Sequence, residues 1–147
     1  DPRKEFISEL KKVIKNKGSI IAWNASFETS LVLKKLLEIF PENKEWTEEN
    51  LRRFVDLMIP FRDFDYYHPK QEGSCSLKSV LPALTGKDYE NLQIKSGGEA
   101  SAEFMKMAYE NISINEKQKI RENLLKYCEL DTLAEVMILD KLREMVK

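Results

Sequence analysis

Ser19-Ile20-Ile21-Ala22-Trp23-Asn24-Ala25-Ser26-Phe27-Glu28 is the stretch that sets the class of the fold. A short apolar run follows Gly18 and stops at an asparagine, which reads as a buried strand bounded by turn residues. From Ala25 the pattern changes. Leu31, Val32, Leu36, Leu37 and Phe40 recur at helical steps and stop before Pro41, as a helix does ahead of a proline. A strand end, a short turn and a helix start form the junction at which open α/β sheets place their sites. Asn24, Phe27 and Glu28 occupy that junction. Asn24 also suits a plain turn or cap, and Glu28 falls in the first helical turn, where free amides and the helix dipole favour a carboxylate.

On the amino side, residues 3–17 read as an amphipathic surface helix with Phe6, Leu10, Val13 and Ile14 on its apolar face, Asp1 as N-cap and Pro2 at the first helical position. With no initiator methionine and a helical pattern from the outset, the chain reads as a piece of a longer protein. On the carboxyl side, Thr47 to Asn50 opens a short helix and Phe54 to Met58 is a second strand. Asp56 lies inside it and suits a turn or hydrogen-bonding role better than a catalytic one. Ile59 to Ser74, with Pro60, Pro69, Gly73 and interleaved aromatics, is a long irregular loop whose rings either stack on bases or pin the loop to the body. His68 lies in it and is given no role.

Ser76 to Leu81 begins a helix that Pro82 and Gly86 confine to about two turns. Lys78 and Lys87 are phosphate contacts if that helix lines a cleft, and solvated surface otherwise. Tyr89 to Ile94 has no clear period, Ser96 to Gly98 is a turn, and Glu99 to Asn111 is a helix with Ala100, Phe104, Met107 and Ala108 inward. Asn115 caps a final long helix. In it Ile120, Leu124, Tyr127, Cys128, Asp131, Ala134, Ile138 and Leu142 recur at steps of three and four and share one face. Asp131 thus sits within an apolar stripe, where an ionised carboxylate needs a donor, a cation or a metal, or else takes up a proton. Tyr127 lies one turn earlier on the same face. Spacing alone leaves two roles open for the pair: a core aspartate satisfied by an amide or an arginine, or a site.

At 147 residues, with 42% hydrophobic and 33% charged side chains, the expectation is one globular domain, 1–147, without an apolar run near the ~18 residues that cross a bilayer. Twenty-four basic residues face 25 acidic ones, so no overall positive field draws the chain to nucleic acid. Cys75 and Cys128 are too few for a disulfide framework, and a reduced cytoplasmic setting is the default. Two strands among many helices predict a helix-rich α/β fold with an incomplete sheet, its other strands lying upstream of Asp1. An exposed sheet edge predicts a homodimer.

Asn24-Ala-Ser-Phe27-Glu28 after a buried strand resembles the second motif of the DEDD 3′-5′ exonucleases. Tyr127-x-x-x-Asp131 in a late helix resembles their third motif in its tyrosine form. Val55-Asp56-Leu57 and Ser76-Leu77 resemble the segments between. The fuller pattern, with Ser76-Leu-Lys78 and Tyr127-Cys-Glu-Leu-Asp-Thr132, is similar to the bacterial domain-of-unknown-function family 2779, and the resemblance runs over nearly the whole chain. It implies a ribonuclease H-like fold with a mixed central sheet flanked by helices, set beside a RecB-like or Cas4-like nuclease region, and hydrolysis of DNA or RNA by two Mg²⁺ or Mn²⁺ ions about 4 Å apart. By the same resemblance Glu28 and Asp131 are metal ligands, Tyr127 orients water, Asn24 and Phe27 support the turn and the substrate wall, and Lys78 contacts substrate. The chain departs from the pattern at two points. Glu28 replaces an aspartate, and the first motif, Asp-x-Glu on the opening strand, is absent, so the chain alone is expected to be inactive. Two other readings stand beside this one: a catalytically inactive ribonuclease H-like module that binds nucleic acid or a protein, and a helical interaction domain in which Arg121 or Arg143 pairs with Asp131.

Overall fold

The computed structural model describes residues 2–147, so the cap expected at Asp1 lies outside the described residues. The chain divides into two compact units, Asp1–Tyr66 and Tyr67–Lys147. The first holds α1 (Arg3–Val13), β1 (Ile20–Ala22), a π-helix (Phe27–Leu33) that runs into α2 (Lys34–Ile39), α3 (Lys44–Leu51), β2 (Phe54–Asp56) and α4 (Ile59–Arg62). The second holds α5 (Leu77–Thr85), α6 (Gly97–Tyr109) and α7 (Ile114–Met145).

In the first unit β1 and β2 pair in parallel, with Ile20 opposite Phe54 and Ala22 opposite Asp56. Among the described residues the sheet is these two strands, parallel and not mixed. The Ile20 amide donates to the Arg53 carbonyl at 2.9 Å and the Leu57 amide to the Ala22 carbonyl at 2.9 Å, which extends the ladder at both ends. Arg53 fixes the approach to β1, its Nε on the Gly18 carbonyl at 2.8 Å and its Nη2 on that of Lys17 at 3.0 Å. The apolar face of α1 differs from the sequence expectation: Ile7 is buried while Phe6 and Val13 are exposed. Ile7, Ala22, Leu33, Leu36, Leu57 and Phe61 form the unit's core. The expected loop after β2 contains α4, and Phe61 pins it there, its ring 5.4 Å from Trp23 and 5.7 Å from Tyr66.

The second unit opens with a 3-10 turn, Pro69–Gln71, capped by His68, whose Nδ1 accepts from the Lys70 amide at 3.2 Å. His68 therefore has a structural role. Ser76 caps α5 as its sequence suggests, and Gly86 ends it at φ +73, a conformation that disfavours any side chain. Pro82 sits inside α5 and does not end it. α5 and α6 pack on α7. The N-cap of α7 is Ser113, whose Oγ accepts from the Glu116 amide at 3.2 Å, and not Asn115. α7 buries Ile120, Tyr127, Ala134 and Ile138, but Cys128 faces solvent, so the buried stripe is narrower than the expected face. Phe104, expected inward, is half exposed on α6.

Candidate functional site

The candidate residues fall into two clusters, one in each unit. In the first unit they stand at the carboxyl ends of the two parallel strands. Ala22 ends β1 and Asp56 ends β2, and the turn after β1 needs Asn24 at φ +61, a left-handed conformation that asparagine tolerates better than most residues. The turn is tied down from β2: Asp56 Oδ1 accepts from the Asn24 amide at 2.9 Å and from the Met58 amide at 3.0 Å. Asp56 is a hydrogen-bonding residue, as its sequence context suggests. Ser26 donates to Asn24 Oδ1 at 2.8 Å, and the Phe27 amide to the Asn24 carbonyl at 3.0 Å. Phe27 projects into solvent.

Glu28 follows in the first turn of the π-helix. Such helices are rare and tend to mark functional sites. Its Oε2 is buried and has no hydrogen-bond partner among the described residues, an arrangement that costs free energy when the group is ionised. Burial pushes its carboxyl above the usual range, the bond to its own amide opposes this, and the charge of Asp56 adds to the rise.

In the second unit α7 carries Tyr127 and Asp131, and α5 carries Lys78. The fourth member is Tyr89. Its phenol donates to Asp131 Oδ1 at 2.7 Å, and its ring lies 6.2 Å from that of Tyr127. The Lys78 ammonium stands over both rings, 5.1 Å from the Tyr89 centroid and 5.3 Å from that of Tyr127, and donates to the Lys95 carbonyl. A cation over aromatic faces is held by their quadrupoles. The arginine pairing considered for Asp131 is replaced by the Tyr89 phenol, and Arg143 pairs with Asp140 at 3.5 Å. Tyr127 Oη lies near the start of α6, 3.9 Å from where a Cβ on Gly97 would stand. Burial first and the Asp131 carboxylate second push the Tyr127 phenol up to about 12 and the Tyr89 phenol well above the usual range. Both phenols are therefore donors, not bases, at ordinary pH.

Tyr89 has no helical or strand period around it, so pattern reading passes over it. Its one sequence signal is a tyrosine in a turn-rich segment that ends in the apolar Ile94. A divalent ion bound in the way the resemblance implies requires several carboxylate oxygens turned to one point. In the two clusters Asp131 Oδ1 and Asp56 Oδ1 accept from donors, and Glu28 presents one open oxygen. Among the described residues no group of three or more His, Cys, Asp or Glu side chains is placed to hold a metal ion.

A family model described as a domain of unknown function, DUF2779, matches residues 1–76. The chain belongs to this family. Comparison with curated proteins and with solved structures gives no match. The DUF2779 match is shorter than the near-complete resemblance read from the motifs. It takes in Asn24, Phe27, Glu28 and Asp56 and ends at Ser76, whereas Lys78, Tyr89, Tyr127 and Asp131 lie beyond it. No described helix of this DUF2779 chain is long and apolar enough to cross a membrane.

Proposed function

We propose that this chain serves its protein as a catalytically inactive, ribonuclease H-like interaction module. The observation that carries the reading is the state of the second cluster. Asp131 accepts a hydrogen bond from the Tyr89 phenol and Lys78 stands over the rings of Tyr89 and Tyr127, so the groups that resemble a catalytic tyrosine and a metal ligand act here as a tie between α5, α7 and the Tyr89 turn. Charge balance supports a protein partner over nucleic acid. The first unit has 12 basic and 12 acidic residues and the second 12 and 13, so neither carries the net positive field that drives phosphate binding. The test is hydrolysis of end-labelled single-stranded DNA and RNA by the chain with Mg²⁺ or Mn²⁺. No release of nucleotides is expected, and release that Asp131→Ala abolishes would overturn the reading.

One observation favours a second reading, a metal-dependent 3′-5′ exonuclease site completed by groups outside this chain. It is the open Oε2 of Glu28 beside the charge of Asp56. Calorimetric titration of the chain with Mn²⁺ tests it: binding lost in Glu28→Gln would favour it, and absence of heat would count against it.

A further inference from the structure

The first unit carries an apolar groove of about 480 Å³ away from the strand-end cluster. One wall is α1, through Arg3 and Phe6. The other is the π-helix and α2, through Leu31, Lys35, Leu36 and Ile39. Its apolar surface is open: Leu31 is 60% exposed, Phe6 47% and Ile39 43%. Large apolar side chains left in water along one line mark a contact surface. Among the described residues, the charged groups that line it are of one sign, Arg3 on one wall and Lys35 on the other.

We propose that this groove takes a short amphipathic helix of a partner protein, with acidic side chains flanking its apolar face. The proposal rests on the interaction-module reading and names the partner's chemistry. Leu31, Lys35 and Ile39 recur at steps of four, so the wall extends about 12 Å, which is about two turns of an occupant helix. Helix-in-groove recognition uses anchors at that spacing. A small apolar ligand fits less well, because ligand sites enclose most of their occupant and this groove leaves its own walls half in water. The cations select the sign of the flanking charge. Lys35 pairs with Glu38 at 2.9 Å, but both side chains are mostly exposed, and such pairs exchange readily for a better-placed carboxylate.

The experiment uses the full chain and two labelled helical peptides, each with leucines at i, i+3, i+4 and i+7, one with glutamates flanking that face and the other with lysines. Fluorescence anisotropy is expected to show binding of the glutamate peptide and at least tenfold weaker binding of the lysine peptide. Leu31→Asp is expected to abolish binding, and Lys35→Glu to reverse the preference between the peptides. Both positions are exposed, so the variants are expected to keep the circular dichroism of the parent. Equal binding of both peptides, or binding indifferent to Leu31→Asp, overturns the proposal. Self-association in sedimentation, or flotation with vesicles of phosphatidylserine and phosphatidylcholine, also overturns it if Leu31→Asp removes the effect, since the groove then belongs to a second copy or to a lipid surface. Nuclease activity sensitive to Asp131→Ala would sink the interaction-module reading separately, whatever the peptides do.

Discussion

Tyr89 and Glu28 are the two side chains whose chemistry departs furthest from their surroundings, in opposite senses. Tyr89 donates a hydrogen bond to the Asp131 carboxylate, a partner on another element. Tyr89→Phe removes a hydrogen bond to a charged group and is expected to destabilise the second unit by about 1.5–3 kcal/mol in urea unfolding. Asp131→Asn, whose amide oxygen still accepts, is expected to cost less. Glu28 has the open oxygen. Its folded-state pKa is raised above the ordinary 4.5, so between those two values the folded state binds more protons than the unfolded one, and stability falls as pH rises through that window. Glu28→Gln is therefore expected to be more stable than the parent at neutral pH. Thermal melts should show the advantage vanishing below about pH 4, where both states of the parent are protonated. Equal melts at neutral pH would show that Glu28 has a partner when charged.

Caps and helix faces show what the sequence makes legible and what it does not. Ser76 and Gly86 bracket α5 as their chemistry dictates, because a hydroxyl that accepts an amide and a residue at positive φ are local requirements. The strand, the Asn24 turn and the helix start were equally local and equally readable. The start of α7 was not, since Ser113 and Asn115 are both good caps and only the fold distinguishes them. Ser113→Ala is expected to cost about 0.5–2 kcal/mol and Asn115→Ala to be near neutral, by urea unfolding. Ile7 rather than Phe6 faces inward on α1, and Cys128 faces outward on α7, because composition gives a helix an apolar side but the neighbouring elements fix how far it turns. The contact that defines the second cluster joins Tyr89 to Asp131, and no periodicity reports a partner 42 positions away.

At the scale of the molecule the chain is two units, and the boundary between Tyr66 and Tyr67 is a chemical expectation as well as a geometric one. Phe64, 64% exposed, and Tyr67, 45% exposed, lie outside any helix or strand, whereas exposed aromatics such as Phe6, Phe27, Phe104 and Tyr109 lie in hydrogen-bonded helices. Limited chymotrypsin digestion is expected to cut first at Phe64 or Tyr67 and leave two resistant pieces. First cleavage in α6 would contradict this. The parallel pairing of β1 with β2 bears on how the first piece reaches its native state. Ile20 meets Phe54 only after the chain has folded back through α2 and α3, so closure entropy is lost before the sheet returns any stabilisation. The order of events follows: helices gain amide protection early, and the Ile20 and Leu57 amides, which bond across the strands, gain it last.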